Sequence, residues 1–492
     1  MIDLHTILVA NRGEIACRVI RTGQRLGRRM VAVYHREDRQ APHVSMADQA
    51  IELHAAVPTA AYLDSAQILE AARSSGAVAI HPGYGFLSEN AVFAEAVAGA
   101  GLTFIGPDAT SMRLMGDKLR SREFARAQGV PVAPSFEIDA SASPAVFADA
   151  ASAIGYPLLI KASAGGGGKG MRVVRDWTEL VEAMSLASGE ARRYFGDGRI
   201  YAERLVPGPR HIEVQVVGDG QGGVLHLGER ECSIQRRFQK IVEEAPSPGL
   251  PPELRDQIVS AAVRLASAAR YRNAGTVEFI LGSDGVFYFL EMNTRLQVEH
   301  PVTECVWGVD LVELQIAVAA GAALPPQSTL TPSGHAIEVR ICAEEPARDF
   351  RPAVGRIGLL REPSGAGIRI DSGLREGQSV TPAFDSMLAK LIAFGPDRET
   401  ARTRLMSALG RTVLLGVSSN VDYLSRVAAH PAFIAGALHT GFVSEHASAL
   451  LADPAADEDA VALAAAALGC RDIRIMMQET PPLHAAIGHW RN

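Results

Sequence analysis

Apolar residues along the first hundred positions alternate between short unbroken runs and helical spacing. Residues 6–10 are an apolar run, Asn11-Arg12-Gly13 is turn chemistry, and residues 14–26 place Ile15, Val19, Ile20 and Leu26 on one side of a helix before a second run at 30–34. That order predicts a β-α-β unit, and therefore a parallel sheet covered on both faces. A helix over 65–75, a strand over 77–81 and the turn Pro82-Gly83-Tyr84-Gly85 continue the pattern to about residue 106. The alternation ends near Gly116-Asp117-Lys118, where a helix runs to Ala127. The prolines of Val130-Pro131-Val132-Ala133-Pro134 then predict an extended connector, so a boundary falls between 107 and 135.

Beyond that boundary strands dominate. Residues 156–161 are an apolar run broken by Lys161, the glycines 165–168 follow with Lys169 and Gly170, and residues 171–174 return to strand pattern. The loop matches GxGxxG by letter, but a dinucleotide fingerprint opens a helix, and a Walker A loop needs Ser or Thr where Gly170 stands. A glycine-rich hairpin tip can instead lie over a polyphosphate, offering backbone N–H groups while Lys161 and Lys169 supply charge. Strands follow at 199–206, at 211–217 with polar residues on alternate positions, and at 224–227. The basic and amide-rich stretch Gln235-Arg236-Arg237-Phe238-Gln239-Lys240 is dense enough to form a local anion site, but on its own a charge run reads first as a solvated face. Helices are expected at 251–269, 309–320, 398–409 and 420–429, with a second linker over 325–332 and a strand at 335–341. Arg340 lies within that strand between Glu338 and Cys342, as a paired structural arginine would. From 447 the chain is alanine-rich and acidic, and no internal repeat is present.

The most informative stretch is 276–301, TVEFILGSDGVFYFLEMNTRLQVEHP. Two β-rich runs flank Gly282-Ser283-Asp284-Gly285, which predicts a hairpin. With Ser283 and Asp284 as a two-residue loop, Thr276 faces Glu291 and Glu278 lies two positions along the same face, its carboxylate about 5.5 to 8 Å from that of Glu291. Glu291, Asn293, Arg295, Gln297 and Glu299 then alternate with mostly apolar neighbours, giving one charged face while the chain stays extended. Two carboxylates and an amide oxygen suit a hard cation such as Mg²⁺ bridging to phosphates. Arg295 offers a planar fork for a small oxyanion, and Glu299 is a candidate base.

Composition narrows the class. A chain of 492 residues is long for one core, and 47% hydrophobic with 21% charged residues is an ordinary globular balance. The net charge of −7 argues against a nucleic-acid partner. Five cysteines without CxxC spacing point to a reducing compartment, and no apolar run approaches the ~20 residues of a membrane span, so a cytoplasmic location is expected.

Read in order, ANRGEIACRVI, AIHPGYGFLSEN, LMGDK, GYPLLIKAS with GGGGKGMRVV, PRHIEVQV, ERECSIQRR, QKIVEEAP, EMNTRLQVEHPVTE, GHAIEVRICAEEP and FDSMLAKLI resemble the biotin carboxylases over residues 1 to about 446. The resemblance implies an α/β and α+β architecture. It comprises an N-terminal parallel-sheet domain (1–115), an ATP-grasp domain (116–330) with a glycine-rich lid at about 135–205, and a C-terminal domain of mixed sheet and helices (331–446). Residues 447–492 would begin a following domain. It implies a ligase that spends ATP to turn bicarbonate into carboxyphosphate and then carboxylates biotin on a carrier. ATP and Mg²⁺ (or Mn²⁺) are the implied cofactors, with biotin as carrier-bound substrate.

By the same resemblance Glu278, Glu291 and Asn293 hold the metal. Lys118, Lys161, Gly167, Gly168, Glu203, Arg204, Leu205, Val206, His211 and Gln235 meet ATP with Glu278 and Glu291. Lys240, Arg295, Gln297 and the Val298 backbone bind bicarbonate, Glu299 is the base, and Arg340 steadies the ureido oxygen of biotin. Where the family usually shows QRRHQK, this chain has Phe238, so a polar contact near the nucleotide is lost. No Met-Lys-Met biotinylation sequence occurs, which implies a carrier in trans, beside a carboxyltransferase subunit and a homodimer or larger complex. The alternatives are a catalytically silent ATP-binding assembly subunit, another carboxylate-amine ligase and, on GxGxxG alone, a dehydrogenase. The set Arg295, Gln297, Glu299 and Arg340 argues against the second.

Overall fold

The computed structural model describes residues 2–138, 144–163, 171–451, 463, 465 and 466. The expected β-α-β opening is present: Thr6–Val9, the helix Gly13–Arg25 and Arg29–His35. The parallel sheet has the strand order Gln49–Leu53, Arg29–His35, Thr6–Val9, Ala79–His81, Thr103–Phe104. Its central strands are buried on both faces, as their unbroken apolar runs require. The strand Gln49–Leu53 has no expectation behind it, because Glu52 and the half-buried Gln49 give it an edge strand's mixed pattern.

A four-stranded antiparallel sheet follows, in the order Ser135–Ile138, Ile200–Arg204, Leu158–Ala162, Arg172–Val174. The helix Trp177–Phe195 packs on it, burying Leu180, Ala183, Ala187 and Ala191. Gly167, Gly168 and Lys169 lie outside the described residues, as does most of the stretch after 451.

The scaffold of the molecule is an eight-stranded sheet running Phe287–Asn293, Arg272–Leu281, Arg210–Asp219, Val224–Arg236, Gln239–Ala245, His335–Cys342, Met387–Gly395, Ile368–Ser372. One face is apolar: Ile212, Val214, Val216, Val277 and Phe279 pack against Ile258, Ala261, Ala262 and Leu265 of the helix Pro252–Ala268. Farther along, Ile337, Val339 and Leu391 pack against Leu405, Leu409, Leu424 and Val427 from Arg398–Arg411 and Val421–Ala429. Period-two alternation turns the intervening polar residues to the other face. His211, Glu213, Gln215, Glu278, Glu243 and Glu338 are all buried there. Among the described residues no helix is long and apolar enough to cross a membrane.

Candidate active site

The hairpin Arg272–Leu281 to Phe287–Asn293 forms, with a different register from the expected one. Gly282 donates to the Val286 carbonyl and Gly285 has φ +77°, so the loop is Ser283-Asp284-Gly285 with glycine in the left-handed position. A further irregularity falls between Glu278 and Phe279. Together these shift the pairing: Glu278 faces Glu291 directly, and Thr276 faces Asn293 rather than Glu291. The two glutamates are thereby paired directly across the strands, where the sequence placed them two positions apart. The strand ends at Asn293, so the extended alternation does not continue to Glu299; residues 294–299 curl back toward the sheet.

That return assembles a buried charge network. Lys240 donates to Glu213, to Glu278 Oε1 at 2.9 Å and to Glu299 Oε1 at 2.6 Å. Gln297 Nε2 and Asn293 Nδ2 also donate to Glu278 Oε1, at 2.7 and 2.8 Å, and His211 Nε2 meets Oε2 at 2.9 Å. Arg340 donates to Glu243 at 2.6 Å and to Glu299 Oε2 at 2.9 Å. Beneath them Arg230, fully buried, bonds Glu213, Gln215, Thr303, Thr276 and Gln297.

Burial pushes the Glu299 carboxyl up, but Lys240, Arg340 and Arg230 outweigh it and hold the group well below the usual carboxylate range. Glu278 is likewise lowered by Lys240 and His211 against the cost of burial. Burial opposes a charge on Lys240, and Glu213, Glu278 and Glu299 together raise its pKa well above the ordinary lysine value. Behind Arg340, burial wins instead: Glu243 is pushed up to about 7 despite the arginine.

The network floors a cavity of about 450 Å³, a size that takes a nucleotide-sized ligand. Its far wall comes from the smaller sheet, with Lys161, Glu203, Arg204, Leu205 and Val206, and its rim includes Lys118, Phe238, Asp385 and Ser386. Lys161 is paired with Glu203, which also takes Arg122 at 2.8 Å, so the Glu203 carboxylate is committed within the protein. Lys118 lies 3.1 Å from Glu291. Gln235 reaches His211 Nδ1 at 2.7 Å. All the site residues expected within the described chain line this one cavity.

The donor chemistry fits a hard divalent cation. Glu278, Glu291 and Asn293 present carboxylate and amide oxygens from two adjacent strands, the ligand type Mg²⁺ takes. A second grouping, His211, Glu213 and Glu278, also has ligand atoms within 4.8 Å of one another. Both Glu213 oxygens are already occupied, by Arg230 and Lys240, as are both Glu278 oxygens, by Lys240, Asn293, Gln297 and His211, so in either grouping a cation would displace donors already in place.

Two expectations need correction. The stretch Gln235 to Lys240 is a solvated face only at its tip, residues 237–239: it caps the hairpin of Val224–Arg236 and Gln239–Ala245, Arg236 pairs with Glu344 at 2.9 Å, and Lys240 turns into the acid cluster. Arg340 is ion-paired as expected, but it also faces the cavity, so pairing does not make it merely structural. Glu213, Arg230, Glu243 and Arg122 had no assigned role. The alternation His211, Glu213, Gln215 was visible, and a polar face inside a central strand was the signal available.

Three family models match: "Biotin carboxylase, N-terminal domain" over residues 3–112, "Carbamoyl-phosphate synthase L chain, ATP binding domain" over 117–327, and "Biotin carboxylase C-terminal domain" over 338–445. The chain is 47% identical over 440 residues to a biotin carboxylase of Nostoc sp., covering 89% of this chain and 98% of that protein. It is 48% identical over 447 residues to the mitochondrial methylcrotonoyl-CoA carboxylase subunit alpha of Mus musculus. That alignment covers 90% of this chain but only 62% of the relative's length. Among solved structures, the biotin carboxylase domain dimer of Hydrogenobacter thermophilus 2-oxoglutarate carboxylase, in complex with MgADP, ADP and bicarbonate, superposes with a TM-score of 0.88 at 45% identity, covering 92% of this chain and 99% of that one.

Proposed function

The chain belongs to the biotin carboxylase family, and from that premise we propose that it uses ATP and bicarbonate to carboxylate biotin presented by a carrier outside these 492 residues, as the first half-reaction of an acyl-CoA carboxylase. The observation that carries this reading is the junction of two ligand sets in one cavity: oxygen donors suited to a divalent cation, and cationic donors suited to a small oxyanion.

Glu278, Glu291 and Asn293 would hold Mg²⁺, which when bound neutralises phosphate charge as the γ-phosphoryl group transfers. Lys118 and Lys161 would meet phosphate oxygens and residues 203–206 would receive adenine, a reading supported by their sharing one cavity. Arg295, Lys240, Gln297 and the Val298 backbone would grip bicarbonate, and Glu299 would remove its proton as the carbonate oxygen attacks the γ-phosphorus, expelling ADP. Carboxyphosphate then releases CO₂ and phosphate; phosphate takes the ureido proton, and Arg340 offsets the charge on the ureido oxygen while nitrogen attacks CO₂.

Glu299 is a weak base while Lys240 and Arg340 are paired with it. Each has a substrate to turn to, Lys240 to bicarbonate and Arg340 to biotin. A Lys240 or Arg340 drawn toward its substrate would depress the Glu299 carboxyl less, so its basicity would rise. The test is ATP cleavage that requires bicarbonate and is stimulated by free biotin. A carboxylate-amine ligase would ignore biotin, and a silent subunit would release no phosphate.

We infer a carboxyltransferase partner from the likeness to methylcrotonoyl-CoA carboxylase subunit alpha over 62% of its length, and assembly as a homodimer or larger complex. Copurification with a native partner, followed by a panel of acyl-CoA acceptors, tests both.

A further inference from the structure

Glu89 belongs to the N-terminal part of the chain, in the loop that follows the strand Ala79–His81, yet it reaches the segment bearing Arg295. Its Oε1 accepts from the Thr294 backbone N–H at 3.0 Å and from the Thr294 hydroxyl at 3.3 Å, and its Oε2 accepts from Arg295 Nε at 2.9 Å. The other nitrogens of Arg295 have weaker or contested partners. NH1 donates to the Leu296 carbonyl at 3.3 Å, and NH2 donates to Asn293 Oδ1 at 2.9 Å. That amide oxygen is one of the three assigned above to the divalent cation. Once a cation claims it, Glu89 is the partner left to hold the guanidinium.

We propose that Glu89 is a positioning residue for bicarbonate: by gripping Arg295 from its Nε side and pinning the Thr294 backbone, it leaves the two terminal nitrogens of the fork to face the oxyanion. This rests on the assignment of Arg295 to bicarbonate. The geometry supports it because a guanidinium recognises a carbonate-like anion through two parallel N–H groups, so its plane must be fixed before the anion arrives. It also makes the bicarbonate pocket dependent on a residue some two hundred positions away, since neither chain segment alone fixes that plane. Glu89 is half-exposed, with 42% of its side chain accessible against 21% for Arg295, so water screens the pair from the Glu89 side and its contribution to stability is small. Its removal therefore leaves the fold in place and the effect falls on kinetics.

The experiment is Glu89→Ala in the full chain, assayed for bicarbonate-dependent ATP cleavage with free biotin. The KM for bicarbonate rises about tenfold, the size of one charge-assisted hydrogen bond, while the KM for ATP stays within about twofold and the melting temperature is unchanged. Glu89→Asp, which keeps the charge but withdraws it by one methylene, gives a smaller rise of the same selectivity and serves where the alanine variant is poorly folded. An unchanged bicarbonate KM overturns the proposal, as does a parallel loss of kcat, ATP affinity and melting temperature, the mark of a structural role. If the wild-type chain shows no bicarbonate dependence, the functional reading fails first, and that outcome is distinct from a wild-type response that Glu89→Ala does not alter.

Discussion

Replacing Lys240 by methionine keeps the length of the side chain and removes one charge from the centre of the site. In the structure that charge serves Glu213, Glu278 and Glu299 at once. Removing one partner of a buried ion pair costs about 3 to 5 kcal/mol. The loss here belongs at the low end, about 3 kcal/mol, because each carboxylate keeps a second donor: Arg230 on Glu213, His211 on Glu278, Arg340 on Glu299. The pH dependence separates this mechanism from lost packing. In the wild type Glu278 and Glu299 are depressed below the ordinary carboxylate value of 4.5, so their stabilisation is fully present above that value and is lost only at more acidic pH. Without Lys240 the opposition to burial weakens and both carboxyls shift upward from their wild-type values, so the comparison runs from about pH 8 down to about pH 5. The gap in melting temperature between the two proteins, measured by calorimetry across that range, is widest at pH 8 and narrows toward pH 5. A gap independent of pH refutes the reasoning, because it would mean that the ammonium charge is not what holds the acids.

Phe238 lines the cavity at φ +66° and is 55% exposed, a backbone conformation that histidine adopts more readily than phenylalanine. Phe238→His is expected to lower the KM for ATP about three- to tenfold by restoring one polar contact; an unchanged KM removes any role of this position in nucleotide binding. Glu243, pushed up to about 7, binds a proton in the folded state that the unfolded chain has released, so stability falls as pH rises from about 5 to about 7. Glu243→Gln should shrink that slope in chemical denaturation, and an identical slope would mean the buried carboxyl is already ionised at pH 5.

Much of this was legible in the chain because period and punctuation are local. The opening β-α-β unit, the helix Ser65–Ser75 and the hairpin around Gly282 follow from apolar spacing and turn residues. The hairpin register was not, because a left-handed glycine and an irregularity beside Glu278 add residues that alternation cannot count. The placement of Lys240 was legible only through the family resemblance and not from the basic run itself, for a different reason. A run of basic residues looks the same whether it meets water or a cluster of acids, and the acids that claim Lys240 come from three other segments. Glu89 carries no sequence signal of its own, since its partner lies 206 positions away. Arg230 and Glu213 were masked similarly: in a buried central strand, polar alternation points to an interior network rather than to a solvent-facing sheet.

The claim on which the account turns is that one cavity joins a metal-nucleotide seat to a bicarbonate seat. Release of inorganic phosphate from MgATP by the purified chain, followed with and without bicarbonate and with and without free biotin, tests it most directly. Phosphate release that depends on bicarbonate and rises with biotin is the predicted result. Cleavage at the same rate after bicarbonate has been removed, or no cleavage with all three substrates present, contradicts it.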